Sequence, residues 1–228
     1  MLNTKIHEEK MKNILQGIFT SKIGKFLAFK WGTLTYMFHR LDRFSTDIDL
    51  DIIDINQESF IVQYMKELLI KFGDIKNETL GKNLHRWIFR YDEKSMNIKI
   101  ELNKRIWTNN TYKLQKIDSI AIACMTPDCI FANKLVALSE RFVNRDLYDV
   151  YFFFREKFPI NEALITERTW LSLNKFLQKL IKVLPKQFTE NTLLKDLWEV
   201  LDAKQKPRVK KHLINETVKL LQNYLDTL

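Results

Sequence analysis

The chain is poor in the residues that form turns and cross-links. Its 228 residues include only 5 glycines, 4 prolines and 2 cysteines. Because glycine and proline punctuate helices and form turns, their scarcity predicts short connections and a high helix content. Cys124 and Cys129 have no second Cys or His pair nearby, so no zinc site is expected. We expect free, buried thiols in a reducing compartment.

Long apolar runs are also missing. No stretch has the length needed to cross a membrane, which is about 20 residues. The first ten residues are polar and charged, unlike a signal peptide. We therefore expect a cytoplasmic protein with no membrane association.

Charge is abundant and unbalanced. Lys and Arg number 37 against 28 Asp and Glu, a formal net charge of +9. With 46% hydrophobic and 29% charged residues, the composition is that of a globular protein. The basic excess suits a polyanionic partner, either nucleic acid or a nucleoside triphosphate. Solubility alone is the other explanation, and charge does not decide between them.

The character of the chain changes near residue 120. Before that point, strands and helices alternate; after it, nearly every segment has the periodicity of a helix. The two strands expected around the polar stretch 92–95 are predicted to form an antiparallel hairpin. The predicted helices of the first part are 4–20, 34–39 and 58–72, and its predicted strands are 47–52, 84–91 and 97–102. In the second part the predicted helices are 127–142, 145–157, 167–183, 190–203 and 208–226.

These patterns predict an α+β fold in two domains. Residues 1–122 are expected to form a mixed sheet with flanking helices, and residues 123–228 a helical bundle.

The most informative segment is the alternating run from Asp47 to Ile52. On a strand, side chains two residues apart point to the same face, so Asp47, Asp49 and Asp51 share one face and Ile48, Leu50 and Ile52 the other. Several carboxylates on one face repel one another unless a cation is bound. Oxygen ligands of this kind suit Mg²⁺.

Glu101 is a candidate third ligand. It lies on the predicted strand 97–102 and would face the same cations if that strand lay beside residues 47–52. Two Mg²⁺ ions about 4 Å apart stabilise both the attacking and the leaving oxygen of a phosphoryl displacement. The alternative is that an Asp-x-Asp pair is only solvated surface, and the residues themselves leave both interpretations open.

Two further segments carry a family resemblance. The Gly32-Thr33 turn followed by Asp47-x-Asp49 resembles the start of the polymerase-β-like nucleotidyltransferase fold. More narrowly, the run Arg43-Phe-Ser-Thr-Asp-Ile-Asp-Leu50 resembles the AbiEii/AbiGii toxin family, which includes the MenT toxins. A second segment, from Lys134-Leu-Val-Ala-Leu-Ser-Glu-Arg141 to Arg145-Asp-Leu-Tyr-Asp149, is also similar to that family.

The resemblance implies roles for individual residues. Lys134 is expected to meet the nucleotide, and Asp146 to be essential and to orient Lys134 or Arg141. The alternative is that these residues form a structural network of ion pairs that joins two helices. The physics is consistent: Gly32 lets the backbone approach phosphates closely, and the Thr33 hydroxyl and nearby amides can bind phosphate oxygens. Where the family usually has a first glycine in this turn, the chain has Trp31. The expected catalytic residues are Asp47, Asp49, Glu101, Lys134 and Asp146, and the expected nucleotide-binding residues are Gly32, Thr33, Arg43, Ser45, Lys134 and Arg141.

The resemblance also implies a function. The chain would be a metal-dependent nucleotidyltransferase with a two-Mg²⁺ site and a nucleoside triphosphate substrate. It would be the toxin of a toxin–antitoxin or phage-defence pair that modifies the 3′ end of tRNA, and it would have a cognate antitoxin. The lysine-rich stretch 204–211 suits an RNA backbone or simply a solvated surface. Two alternatives stay open: transfer to a small molecule or protein, and an inactive module that binds nucleic acid or a partner.

Overall fold

A computed structural model describes residues 3–92 and 97–228. The chain divides into two compact units. The first comprises Met1–His39, Phe44–Ile106 and Tyr112–Met125, and the second comprises Arg40–Arg43, Trp107–Thr111 and Thr126–Leu228. The predicted domain boundary after residue 122 falls within the last strand of the first unit, which runs over Ile120–Met125.

The first unit contains three helices and a seven-stranded sheet, counted over its described residues. The helices are α1 (Thr4–Phe19), α2 (Trp31–His39) and α3 (Glu58–Leu69). The strands are β1 (Leu27–Lys30), β2 (Asp47–Ile52), β3 (Asp74–Leu80), β4 (Leu84–Arg90), β5 (Ile98–Asn103), β6 (Tyr112–Ile117) and β7 (Ile120–Met125).

The sheet is mixed, with the strand order β3-β4-β5-β2-β1-β7-β6. Strand β2 is central, parallel to β5 and antiparallel to β1. The predicted hairpin is confirmed, since β4 and β5 are antiparallel neighbours. Of the polar stretch 92–95 expected between them, residues 93–95 lie outside the described residues. The alternating sequences of β2, β4 and β5 reflect strands that are buried on one face.

Four strands were not predicted from the sequence. β1 has only four residues, all of them buried, so it shows a short apolar run without alternation. β3 and β6 are the edge strands of the sheet and are mostly exposed, so their sequences lack a regular apolar alternation. β7 is mostly apolar and was not distinguished from a helical segment.

The second unit is helical. Its helices are α4 (Pro127–Arg141), α5 (Asn144–Arg155), α6 (Glu162–Thr169), α7 (Leu173–Gln187) and α8 (Gln205–Leu225). No helix in the described ranges is long and apolar enough to span a membrane. With the first unit, this gives the predicted α+β architecture: a mixed sheet with flanking helices, followed by a bundle of helices.

Two helix predictions in this unit were wrong. The expected helix 167–183 is interrupted at Trp170, which adopts a left-handed φ of 61° and ends α6. The expected helix 190–203 is a series of turns. There the hydroxyls of Thr189 and Thr192 form a hydrogen bond of 3.0 Å. The backbone N–H groups donate to carbonyls either three or four residues earlier, without a regular pattern. Such local side-chain bonding competes with regular helix formation.

Candidate active site

Strand β2 presents its aspartates on one face and buries the other. Ile48 and Leu50 are fully buried, and Ile52 is 2% exposed. Asp47 and Asp49 are only half-buried. The predicted alternation is therefore observed: an apolar face fixes the strand in the core, and two carboxylates remain accessible to small ions on the opposite face.

Glu101 lies directly beside Asp49. In the parallel pairing of β2 with β5, Asp49 is in register with Glu101, and Asp47 with Lys99. Neighbours in register on adjacent strands project to the same face. The Glu101 carboxylate accepts a hydrogen bond of 2.8 Å from Nε of Arg86 on β4. Among the residues that the structure describes, no three His, Cys, Asp or Glu side chains are gathered as a metal site.

Two lysines that the sequence analysis missed neutralise this face. Lys99 Nζ lies 3.0 Å from Oδ2 of Asp47, in a half-exposed ion pair. Lys30 Nζ lies 2.6 Å from Oδ1 of Asp51, in a buried one. The sequence could not reveal these pairs, because they depend on the register of strands distant along the chain. Asp47 and Asp51 thus each have a lysine nearby.

Asp51, the third aspartate of the alternating run, has a different environment. It is 2% exposed. Besides Lys30, its carboxylate accepts hydrogen bonds from Nδ2 of Asn103 at 2.7 Å and from the hydroxyl of Tyr112 at 3.1 Å. These three donors come from β1, β5 and β6. Asp51 therefore ties strands of the sheet together, whereas Asp47 and Asp49 keep accessible oxygens.

The predicted turn at Trp31-Gly32-Thr33 is the start of α2, which follows β1 directly. Trp31 has a φ of 63°, the left-handed conformation that favours glycine. Thr33 is fully buried, and its hydroxyl donates to the carbonyl oxygen of Asp47 and lies 2.8 Å from the hydroxyl of Ser45. The turn is thereby fixed to the first residue of β2. The phosphate contacts expected of Gly32, Thr33 and Ser45 stay predictions.

His7 of α1 supports the same strand from the interior. It is fully buried, with Nε2 3.0 Å from the carbonyl oxygen of Thr46 and Nδ1 3.1 Å from the hydroxyl of Tyr91. Since a carbonyl only accepts, Nε2 carries the hydrogen and Nδ1 accepts from Tyr91. Burial lowers the pKa of His7, although the Thr46 carbonyl and the charge of Asp47 oppose the shift. A neutral histidine therefore holds the residue that precedes Asp47.

The second unit contains a buried ion cluster built from the other family-like segments. Lys134 of α4 lies 2.9 Å from Asp146 and 2.8 Å from Asp149, both on α5. Arg43 binds Asp149 through Nε and Nη2, each at 2.7 Å. Arg141 binds Asp146 through Nε at 2.6 Å and Nη2 at 3.0 Å. We call these five residues the ion cluster.

The ion cluster has three cations and two carboxylates. Four of its side chains are at most 5% exposed, and only Arg141 reaches solvent, at 47%. Burial by itself raises the pKa of Asp146, but Lys134 and Arg141 outweigh it and lower that pKa to about 2. Burial likewise lowers the pKa of Lys134, yet Asp146 and Asp149 raise it overall. All five groups are therefore charged at neutral pH.

Lys134 and Asp146 form buried ion pairs that join α4 to α5, and their predicted catalytic roles stay predictions. The sequence analysis expected Asp146 to be essential, and the structure shows its carboxylate bound to both Lys134 and Arg141. Asp149 was not among the predicted site residues, although it contacts both Arg43 and Lys134. The sequence could have indicated Asp149, because it ends the segment Arg145-Asp-Leu-Tyr-Asp149. It lies three residues after Asp146 and therefore on the same helix face.

The fold and the aspartate pair are those that the resemblance to nucleotidyltransferases predicts. Residues 13–222 match the family model of the nucleotidyl transferase AbiEii toxins, which belong to Type IV toxin–antitoxin systems. The chain belongs to this AbiEii family, which confirms the predicted resemblance, and it is a nucleotidyltransferase of the toxin type. No curated protein matches it.

Solved structures share the fold over the whole chain. A candidate nucleotidyltransferase of Helicobacter pylori is 20% identical, with a TM-score of 0.61, and the match covers 100% of this chain and 97% of the other. JHP933, also of Helicobacter pylori, is 20% identical with a TM-score of 0.53 and the same coverage. MenT4, a nucleotidyltransferase toxin of Mycobacterium tuberculosis, is 16% identical with a TM-score of 0.58, covering 99% and 93%.

Proposed function

We propose that the chain transfers a nucleoside monophosphate from a nucleoside triphosphate to RNA, at the 3′ end of tRNA, and that the reaction depends on Mg²⁺. The observation that carries this proposal is the pair Asp47 and Asp49, half-buried on one face of β2, with Glu101 in register beside Asp49. Families of this kind act on triphosphates, and an accessible oxygen cluster on a rigid strand suits a hard divalent cation.

The residues on this face fit Mg²⁺ by the chemistry of their donors. Asp47 and Asp49 supply carboxylate oxygens, and Glu101 supplies a third after it separates from Arg86. Lys99 and Arg86 now neutralise two of these carboxylates, so a bound cation would replace them. Bound Mg²⁺ supplies charge neutralisation of the triphosphate and of the attacking oxygen.

The reaction is an in-line displacement. The acceptor hydroxyl attacks the α-phosphorus and releases its proton to solvent, a new P–O bond forms, and the bond to pyrophosphate breaks as pyrophosphate leaves. The contribution of the chain is positioning and charge. Gly32 and Thr33 begin α2, whose first amides are suited to phosphate oxygens.

The ion cluster lies in the second unit and fixes the residues of the second family-like segment in place. Asp146 holds Lys134 and Arg141, and the predicted contact of Lys134 with the nucleotide belongs to the proposal. Arg43, expected among the nucleotide-binding residues, acts in the structure through Asp149.

An RNA acceptor is supported by the net charge of +9. Membership of a toxin family of Type IV toxin–antitoxin systems supports a cognate antitoxin and a role in phage defence. These partners are part of the proposal.

Purified protein would be incubated with each α-labelled nucleoside triphosphate, Mg²⁺, and either total tRNA or a panel of small acceptors. We expect label on tRNA, lost on adding a chelator and in Asp49→Asn. The matched control is Asp74→Asn, which removes an exposed carboxylate on β3 of the same sheet. Label found only on small acceptors, or label on tRNA that persists in Asp49→Asn, would contradict the proposal.

A further inference from the structure

Helix α7 carries four lysines on a single face. Lys175, Lys179, Lys182 and Lys186 are separated by four, three and four residues. At 100° per residue this spacing places them in one row along the helix, over about 16 Å at a rise of 1.5 Å per residue. All four are exposed. We call this row the α7 lysine stripe.

The opposite face of α7 fixes the direction of the stripe. Its five buried apolar residues pack in the interior: Leu173, Phe176, Leu177, Leu180 and Leu184. The helix therefore cannot rotate to hide the lysines. It also cannot insert an apolar face into a lipid bilayer, because that face is already buried in protein.

The positive charge of the stripe is not compensated. Residues 173–187 include no Asp or Glu. Within the described ranges, none of the four lysines forms an ion pair, whereas Lys12 and Lys66 pair with Glu8 and Glu78 at 2.8 and 2.7 Å. Like charges three and four residues apart destabilise a helix. Repulsion among the four lysines therefore destabilises α7, and no ion pair within the described residues offsets it.

We propose that the α7 lysine stripe binds the phosphate backbone of the RNA acceptor. This inference rests on the proposed function and assigns the RNA to a surface. A row of four cations over about 16 Å is longer than a triphosphate needs, and it matches a ligand with repeated negative charges. Lysine is suited to this role because its point charge contacts phosphate without reading bases.

Binding of labelled tRNA would be measured by fluorescence polarisation at several salt concentrations, in the Asp49→Asn background so that no turnover occurs. The test variant replaces all four lysines of the stripe by glutamine. The control replaces four exposed lysines of the first unit that also lack ion pairs, so that the change in charge is equal: Lys71, Lys82, Lys113 and Lys116. A third variant replaces the four stripe lysines by arginine.

We expect the glutamine variant of the stripe to bind tRNA at least about tenfold more weakly at moderate salt, with the slope of log K against log salt smaller by roughly 3, since each phosphate contact contributes about 0.7 to 0.9. The control should change much less, and the arginine variant should bind like the wild type. Because all substitutions are at exposed positions, no variant should lose thermal stability, and the glutamine variant of the stripe should gain some, since the repulsion within α7 is removed.

Equal losses in the stripe variant and its control, or no loss in either, would overturn the inference and indicate that the stripe serves an acidic protein or no partner. Transfer of label to RNA by the otherwise unaltered protein is measured separately. If that transfer occurs while the stripe variant binds tRNA normally, only the stripe inference fails. If the wild type neither binds tRNA nor labels it, the proposed function fails as well.

Discussion

Arg43 donates two hydrogen bonds to the carboxylate of Asp149, one from Nε to Oδ1 and one from Nη2 to Oδ2, each 2.7 Å long. The two residues are 106 positions apart in the chain, and both side chains are at most 3% exposed. Asp149 also lies 2.8 Å from Lys134. One carboxylate therefore balances two buried cations, and the stability of the second unit depends on it.

Asp149→Asn should destabilise the protein by about 3–5 kcal/mol, because removing one partner of a buried ion pair leaves the other charges uncompensated. Urea denaturation followed by circular dichroism measures this change. Asp74→Asn, which breaks only solvent-accessible pairs with Lys76 of β3 and Arg90 of β4, should leave the free energy of unfolding nearly unchanged. A loss below about 1 kcal/mol in Asp149→Asn would show that the ion cluster does not stabilise the fold.

Asp146 makes stability depend on pH. Its pKa falls from an ordinary value of 3.8 to about 2 in the folded protein, because Lys134 and Arg141 outweigh the effect of burial. A carboxylate whose pKa is lowered by folding stabilises the protein above its unfolded pKa, and this contribution is lost as the pH falls towards the folded pKa. The shift corresponds to about 2 kcal/mol.

The free energy of unfolding should therefore fall between pH 5 and pH 2 by about 2 kcal/mol more in the wild type than in Asp146→Asn. Denaturant titrations at several pH values measure both proteins. The asparagine variant starts from a lower stability at pH 7, so only the pH dependence is compared. Parallel curves for the two proteins would contradict the predicted pKa.

The left-handed Trp31 gives a prediction about backbone strain. Trp31→Ala and Trp31→Gly both remove the indole ring, but only glycine adopts a φ of 63° without a steric penalty. We expect the glycine variant to be the more stable of the two by about 1 kcal/mol. Inside an ordinary helix the order is the reverse, because glycine is less favourable than alanine by about 1 kcal/mol.

Met37, further along α2 and with an ordinary negative φ, provides the matched pair. Met37→Gly should be less stable than Met37→Ala, as measured by thermal unfolding. If alanine is the better residue at both positions, Trp31 is not strained, and the family preference for glycine in this turn needs another explanation.

The sequence predicted the parts of the site that local periodicity controls. A two-residue alternation was enough to place Asp47 and Asp49 on one face, because a strand buried on one side forces that pattern. Lys134, Arg141 and Asp146 were expected as possible partners, since they lie close in the sequence on two consecutive helices. The family resemblance supplied the fold and the expected chemistry.

Long-range pairing could not be predicted in the same way. The Lys30–Asp51 and Arg43–Asp149 ion pairs depend on which elements become neighbours, and nothing in the local sequence fixes that. The turns over 189–203 were missed for a related reason: buried Leu193 and Leu197 have the spacing of a helix, whereas hydroxyl bonding between Thr189 and Thr192 favours turns.

The proposed role of Glu101 as a third metal ligand can be tested, because its carboxylate is bound to Arg86 and would have to separate from Arg86 to bind Mg²⁺. If Glu101 binds the cation, Glu101→Gln should raise the Mg²⁺ concentration for half-maximal transfer by about tenfold or more, since contacts to charged groups stabilise by roughly 1.5–3 kcal/mol. Arg86→Met removes the 2.8 Å ion pair that holds Glu101. It should therefore lower the required Mg²⁺ concentration, because the carboxylate no longer has to separate from a cation before it binds one.

Opposite shifts in the two variants distinguish a ligand from a residue that only supports the sheet. If Glu101 merely anchors β4 through Arg86, both substitutions break the same ion pair, and both should change stability or maximal rate in the same direction. Glu9→Gln, at an exposed position of α1, controls for the loss of one negative charge. Mg²⁺ titrations of the initial rate, with unfolding curves for each variant, separate the two outcomes.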